Sequence, residues 1–219
     1  MNDFIKLLKD EAYAGLDTIG HVPDFFGLCR SDLAPVFQHL LESRFCGRKE
    51  LLVVEVGSYV GWSAIKMAEV CASRGVKVTI LCVDTWLGSP EFYTQSHWLH
   101  LKKVQGYPTI FHHFTRNIKS LGFHDVIVPL PLASASAAEL LAHYKVEPDL
   151  IYVDAAHEYE SVKMDLSYYW KLLKSGGVMF GDDFDGSWPG LKKAVEEFSA
   201  ERQLPLFTHV SPMWWVIRD

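Results

Sequence analysis

The sequence predicts an α/β fold: a doubly wound, mostly parallel sheet with helices on both faces and an antiparallel strand at one edge. Three observations carry this expectation. Short runs rich in Val, Ile and Leu alternate with longer segments of helical periodicity. The short runs are apolar throughout, as strands buried on both faces are. The last two candidate strands, 207–210 and 213–218, leave no room for a crossover helix between them, so one is expected to run antiparallel.

Residues 1–45 read as a helical N-terminal cap segment. Ile5, Leu7 and Leu8, then Phe37, Leu40 and Leu41, cluster at helical spacing on either side of a loop rich in Gly and Pro. The main domain, 46–219, begins with the strand LLVVEV (51–56) and the turn GSYVG. A helix over 62–74 follows, with Ala64, Ile65, Ala68 and Cys71 on one stripe and Gly75 as its stop. VKVTILCV is the second strand and ends at Asp84. After an irregular aromatic stretch, a helix is expected over 109–121, a strand over 125–130 and a helix over 136–144. DLIYVD is a strand, 159–174 a helix closed by Ser175-Gly176-Gly177, VMFGDD a strand, and 189–201 a helix with Pro189 at its start. The whole reads as one domain.

Composition narrows the function classes. The 219 residues are 49% apolar and 22% charged, which suits a globular protein with a sizeable core. A net charge of −6 gives no electrostatic reason to expect nucleic acid as a partner. Acidic residues break up the N-terminal stretch, so no signal peptide is expected. No apolar run approaches the roughly 20 residues of a spanning helix, so no membrane partner is expected. Cys29, Cys46, Cys71 and Cys82 lack metal-ligand spacing, and a reducing cytoplasm is the expected location.

In open α/β sheets, ligands bind beyond the carboxyl ends of the strands. Between the first core strand and its helix stands Glu55-Val56-Gly57-Ser58-Tyr59-Val60-Gly61, where Gly57 and Gly61 allow backbone to approach a ligand. Asp84 ends the next strand, where a carboxylate can accept both hydroxyls of a ribose. The G-x-G-x-x-G pattern of dinucleotide sites is absent. Glu55 would repel a pyrophosphate and suits a ligand with a cationic amino group and no phosphate, a description that S-adenosylmethionine meets.

EVGSYVGWSAIKMAEV resembles the first motif of class I S-adenosylmethionine-dependent methyltransferases, and most of all the metal-dependent O-methyltransferases of catechol type. The similarity covers residues 51–183 apart from the aromatic stretch. It implies a Rossmann-like domain with Glu55 near the methionine amino group and Gly57, Ser58, Tyr59, Gly61 and Ser63 around the amino-acid moiety. It further implies Asp84 on the ribose, Ser134 of LASASAAELL beside the adenine, and Asp154 near the cofactor.

DAAHEYESV and GDDF carry the remaining chemistry. Asp154 ends one strand, and Asp182 and Asp183 end the next. If these strands are neighbours, three carboxylates converge, and a hard divalent cation such as Mg²⁺ would relieve their repulsion. The alternative is that they are helix caps and loop acids on a solvated rim. His157, with an ordinary pKa of roughly 6.5, is placed to act as general base on a substrate hydroxyl, or else is a polar surface residue. In the catechol group the base is Lys and the ligand pair is Asp-Asn. His157 and the acidic pair resemble instead the macrolide-sugar O-methyltransferases and the cephalosporin-hydroxylase-like group, which implies an alcohol acceptor on a sugar or secondary metabolite.

Trp86, His97, Trp98, His100 and Trp188 form either a substrate lid or the packing of an inserted helix. The pair Trp214-Trp215 suits edge-strand packing or a contact in a homo-oligomer. Two competing functions remain: a metal-independent methyltransferase of the same fold, and a non-catalytic protein that binds an adenosyl ligand.

Overall fold

The computed structural model describes residues 3–26, 33–90, 93, 102–209 and 212–219. Two N-terminal helices, α1 (Asp3–Ala12) and α2 (Leu33–Arg44), precede β1 (Glu50–Val56), α3 (Trp62–Ser73) and β2 (Lys77–Asp84). A two-stranded hairpin, β3 (Lys103–Val104) and β4 (Tyr107–Pro108), leads into α4 (Ile110–Ser120). Next come β5 (Ile127–Pro131), α5 (Ser134–His143), β6 (Leu150–Val153), α6 (Tyr159–Leu172) and β7 (Val178–Gly181). The chain closes with α7 (Pro189–Glu201), β8 (Phe207–Thr208) and β9 (Trp214–Ile217).

The main sheet has the order β5-β2-β1-β6-β7-β9-β8. The first five strands are parallel, and β9 pairs antiparallel with both β7 and β8. The expected doubly wound architecture is therefore present. The antiparallel strand lies one place in from the edge, which the two-residue β8 occupies; Val210 of the expected strand falls outside the described residues.

The uniformly apolar strands are explained by two cores. Val53, Ile80, Cys82, Tyr152 and Phe180 face one cluster, shared with α2, α3 and α4. Val54, Val56, Leu81, Val83, Ile151 and Met179 face the other, shared with Ile5 and with α5, α6 and α7. The N-terminal segment adds to both. Ile5 and Phe37 are buried, whereas Leu7 is exposed. Tyr13 donates a hydrogen bond from its hydroxyl to the Ile127 carbonyl (2.9 Å).

The hairpin was not legible in the sequence. Its turn, Gln105-Gly106, has positive φ at both residues (50° and 85°), the geometry of a tight two-residue connection. No described helix is long and apolar enough to cross a membrane.

Candidate active site

Parallel register aligns the ends of β1, β2, β5, β6 and β7, so the loops after them share one rim. A cavity of about 740 Å³ opens there. The chain turns in opposite directions after β1 and β6, which are neighbours in the sheet. Ligands are expected at such a point.

Gly57 and Gly61 both have φ of 88°. A Cβ on Gly57 would lie 2.1 Å from the Asp154 carbonyl oxygen, and one on Gly61 would lie 2.9 Å from the Ile118 side chain. Each glycine is thus demanded first by packing inside the protein. Gly57 lets the loop after β1 pass directly over the start of the loop after β6. It also lines the cavity, with Ser58, Tyr59 and Ser63, whereas Gly61 lies behind the wall.

Glu55 likewise does not line the cavity. It is fully buried on the α3 side of β1, beside its register partner Cys82. The Ser63 hydroxyl donates to its carboxylate (2.5 Å), and the Cys82 thiol approaches it at 3.2 Å. Burial pushes the Glu55 carboxyl up, against the opposing pull of the surrounding hydroxyls. Ser63 stands between this acid and the cavity.

Asp84 lines the cavity and organises the loops around it. One carboxylate oxygen accepts the backbone N–H groups of Ser58 (3.0 Å) and Tyr59 (2.8 Å), and the other accepts that of Trp86 (2.7 Å). Burial raises its pKa, and these N–H bonds oppose the rise. Of the two readings open for Trp86, lid or packing, the structure supports packing: it is 2% exposed. Its indole N–H donates to the Tyr59 carbonyl (2.6 Å), and its ring meets Phe111 and Phe114 at 5.0 and 4.9 Å. His97, Trp98 and His100 lie outside the described residues.

At the other end of the cavity, ligand atoms of Asp154, His157 and Asp183 all lie within 4.8 Å of one another. Asp154 accepts a hydrogen bond from the Tyr152 hydroxyl (3.0 Å). Its carboxyl is pushed up to about 7 by burial and then by the charges of Asp183 and Asp182. Asp183 sits 2.9 Å from His157 Nε2. Its backbone is left-handed (φ 62°), strain of the kind held at functional sites. Asp182 is buried and not in this triplet; its carboxylate accepts the Asp183 N–H (2.7 Å) and so supports that turn. Trp188 stacks on His157 (centroids 4.0 Å apart, planes 19°) and lines the cavity. Two carboxylates and an imidazole are donors suited to a divalent cation of hard or borderline character.

Ser134 lines the cavity at the start of α5. Its hydroxyl donates to Asp165, a buried acid on α6 that sequence reasoning missed. Asp165 also lines the cavity, and burial raises its carboxyl to about 6. Within a helical pattern it reads as an ordinary polar position; only its place among Val162, Leu166 and Tyr169 hints that it faces inward.

No curated protein matches the chain in sequence. Solved structures do match in fold. The O-methyltransferase NovP is 19% identical, with a TM-score of 0.65 over 84% of this chain and 78% of that one. The calicheamicin methyltransferase CalS11 is 17% identical, with a TM-score of 0.61 over 99% and 90%. An O-methyltransferase from Bacillus cereus in complex with SAH is 15% identical, with a TM-score of 0.57 over 100% and 92%. A family defined by a methyltransferase domain matches residues 54–184, from the last residues of β1 to just past Asp182 and Asp183 in the loop after β7. Over more than half its length, and across every strand end that builds the cavity, this chain belongs to that methyltransferase-domain family.

Proposed function

We propose that the protein is an S-adenosylmethionine-dependent O-methyltransferase that acts on a hydroxyl of a small molecule, on a sugar or secondary metabolite, with a divalent metal and His157 as general base. The convergence of Asp154, His157 and Asp183 at one end of a cavity whose other end holds Asp84 and Ser134 carries this reading. The solved neighbours named for O-methyl transfer support it, CalS11 and NovP among them.

Asp154 and Asp183 would hold the cation, probed first as Mg²⁺. Asp182 holds the turn that presents Asp183 and adds negative charge. A divalent cation held there would supply Lewis acidity toward the substrate hydroxyl. His157 takes the proton, its ring held by Trp188 on one face and aligned by Asp183 at Nε2. Ser58, Tyr59, Ser63 and Asp84 position the methyl donor, so that the chain's main task is alignment of two reactants.

One observation favours a second reading. His157 lies close enough to both carboxylates to be a third ligand. The variant His157→Ala separates the two. As base, its loss lowers turnover about 10²–10⁴-fold and leaves Mg²⁺ and S-adenosylhomocysteine affinities nearly unchanged. As ligand, its loss weakens Mg²⁺ binding in calorimetry to the same degree as turnover. Methyl transfer that persists in excess chelator overturns the metal, and absence of any S-adenosylhomocysteine binding overturns the whole assignment.

A further inference from the structure

The wall of the cavity beyond Ser134 is formed by one side of α6, through Ser161, Met164 and Asp165. Asp165 is the only acid of the three, and it is 4% exposed. Among the described residues, the Ser134 hydroxyl is its hydrogen-bond donor, and no cation offsets its charge. Tyr169, one turn further on, spends its hydroxyl on the Ser134 carbonyl (3.0 Å) and so is not available to Asp165. A buried carboxylate with one hydroxyl for company has acceptor capacity to spare. Leaving that capacity unused in an apolar wall is costly.

A purely structural role is a weak account of this arrangement. Helix α5 begins at Ser134 without a side-chain cap at Ala133. A neutral Asn or Ser would satisfy a helix start at lower desolvation cost than a buried acid. The acid is better explained by a ligand that brings N–H donors into the cavity and carries no negative charge at that point. The exocyclic amino group of adenine has that character.

We propose that Asp165, oriented by Ser134, accepts a hydrogen bond from the exocyclic amino group of the methyl donor's adenine and so makes the cavity selective for 6-amino over 6-oxo purines. This rests on the reading of the cavity as the site of S-adenosylmethionine. In a 6-oxo purine the amino donor becomes a carbonyl acceptor, which faces the carboxylate oxygen to oxygen.

Calorimetric titration of the full chain with S-adenosylhomocysteine and with its deaminated counterpart, S-inosylhomocysteine, tests the proposal. The unaltered protein is expected to favour the adenosyl ligand by about 10–100-fold, the range of one charge-assisted hydrogen bond. In Asp165→Asn the preference collapses to within a few-fold, because an amide can donate to a 6-oxo group. A ligand dimethylated at the exocyclic nitrogen, titrated against the unaltered protein, should lose as much affinity as the inosyl one; this arm holds even where the variant fails to fold. Equal affinity for adenosyl and inosyl ligands, or a preference that survives in Asp165→Asn, overturns the role of Asp165 while the donor site stands. Failure of both ligands to bind the unaltered protein overturns the donor site and this inference with it.

Discussion

Asp154 gathers more electrostatic cost than any single hydrogen bond can return. It lies close to Asp183, senses Asp182, and has the Tyr152 hydroxyl as a partner. Its carboxyl is raised from the ordinary carboxylate range to about 7, first by burial and then by those two acids. A folded pKa above the unfolded value means that the folded chain binds a proton the unfolded chain releases. The stabilisation from that proton is complete below about pH 4 and disappears as the pH climbs to about 7. A cation can replace the proton, so Mg²⁺ affinity should rise from pH 6 to pH 8 with proton release on binding. Calorimetry in buffers of different ionisation enthalpy measures that release; an affinity flat across this range removes Asp154 from the ligand set. Sequence exposed these acids because each follows a strand, and strand ends are where such sheets place chemistry. It did not expose the division of labour between Asp182 and Asp183, which depends on one left-handed residue. Nor did it reveal that Glu55 lies behind Ser63, since alternation along a strand does not tell which face holds the ligand.

Among the elements, the loop after β1 and helix α4 do more than their sequences announce. Gly57 is the crossing point of two site loops, and a Cβ there meets backbone at 2.1 Å, with no flexible side chain to yield. Gly57→Ala should therefore cost more than about 3 kcal/mol, or leave no folded protein, by chemical denaturation. A loss under about 1 kcal/mol would mean that the loops separate easily. On α4, Asn117 is fully buried and ties three segments together. Its amide nitrogen donates to the carbonyls of Val60 (3.0 Å) and Asp24 (2.9 Å), and its oxygen accepts from His21 Nε2 (2.8 Å). Lys119, two residues on, holds the carbonyls of Tyr13 and Leu16 at 3.2 and 2.7 Å. Asn117→Ala strands the buried Val60 carbonyl, releases that of Asp24, and should cost about 2–4 kcal/mol. Amide exchange should then quicken over residues 17–26 more than in the sheet; uniform acceleration would deny the N-terminal segment its anchor. The strands and the helices from α3 on were legible because their apolar patterns differ so clearly in period. The β3–β4 hairpin was not, because its two-residue strands have no apolar pattern, and Trp86 stayed open between lid and packing because an aromatic near a site looks the same whether it meets substrate or core.

At the scale of the whole molecule, the site depends on both cores at once. The Gly57 loop leads into α3, which packs on one side of the sheet, while Asp154, His157 and Asp165 precede or lie on α6, which packs on the other. The N-terminal helices follow the same division: Ile5 of α1 joins the α6 side, and Phe37 and Leu40 of α2 join the α3 side. A segment divided in this way between two cores has little to hold it folded apart from them. The reading of the chain as one domain, with 1–45 as its cap, therefore predicts a single cooperative unfolding transition. S-adenosylhomocysteine at about 100 times its dissociation constant should stabilise the folded state by about 2.7 kcal/mol. For a chain of this size that raises the midpoint by about 5–10 °C. Because the residues that line the cavity come from elements on both faces of the sheet, the whole transition should move, whether followed by tryptophan fluorescence or by far-ultraviolet circular dichroism. If the two probes diverge and ligand shifts only one, the N-terminal helices and the sheet unfold separately, and the cap is a second folding unit joined to the methyltransferase domain.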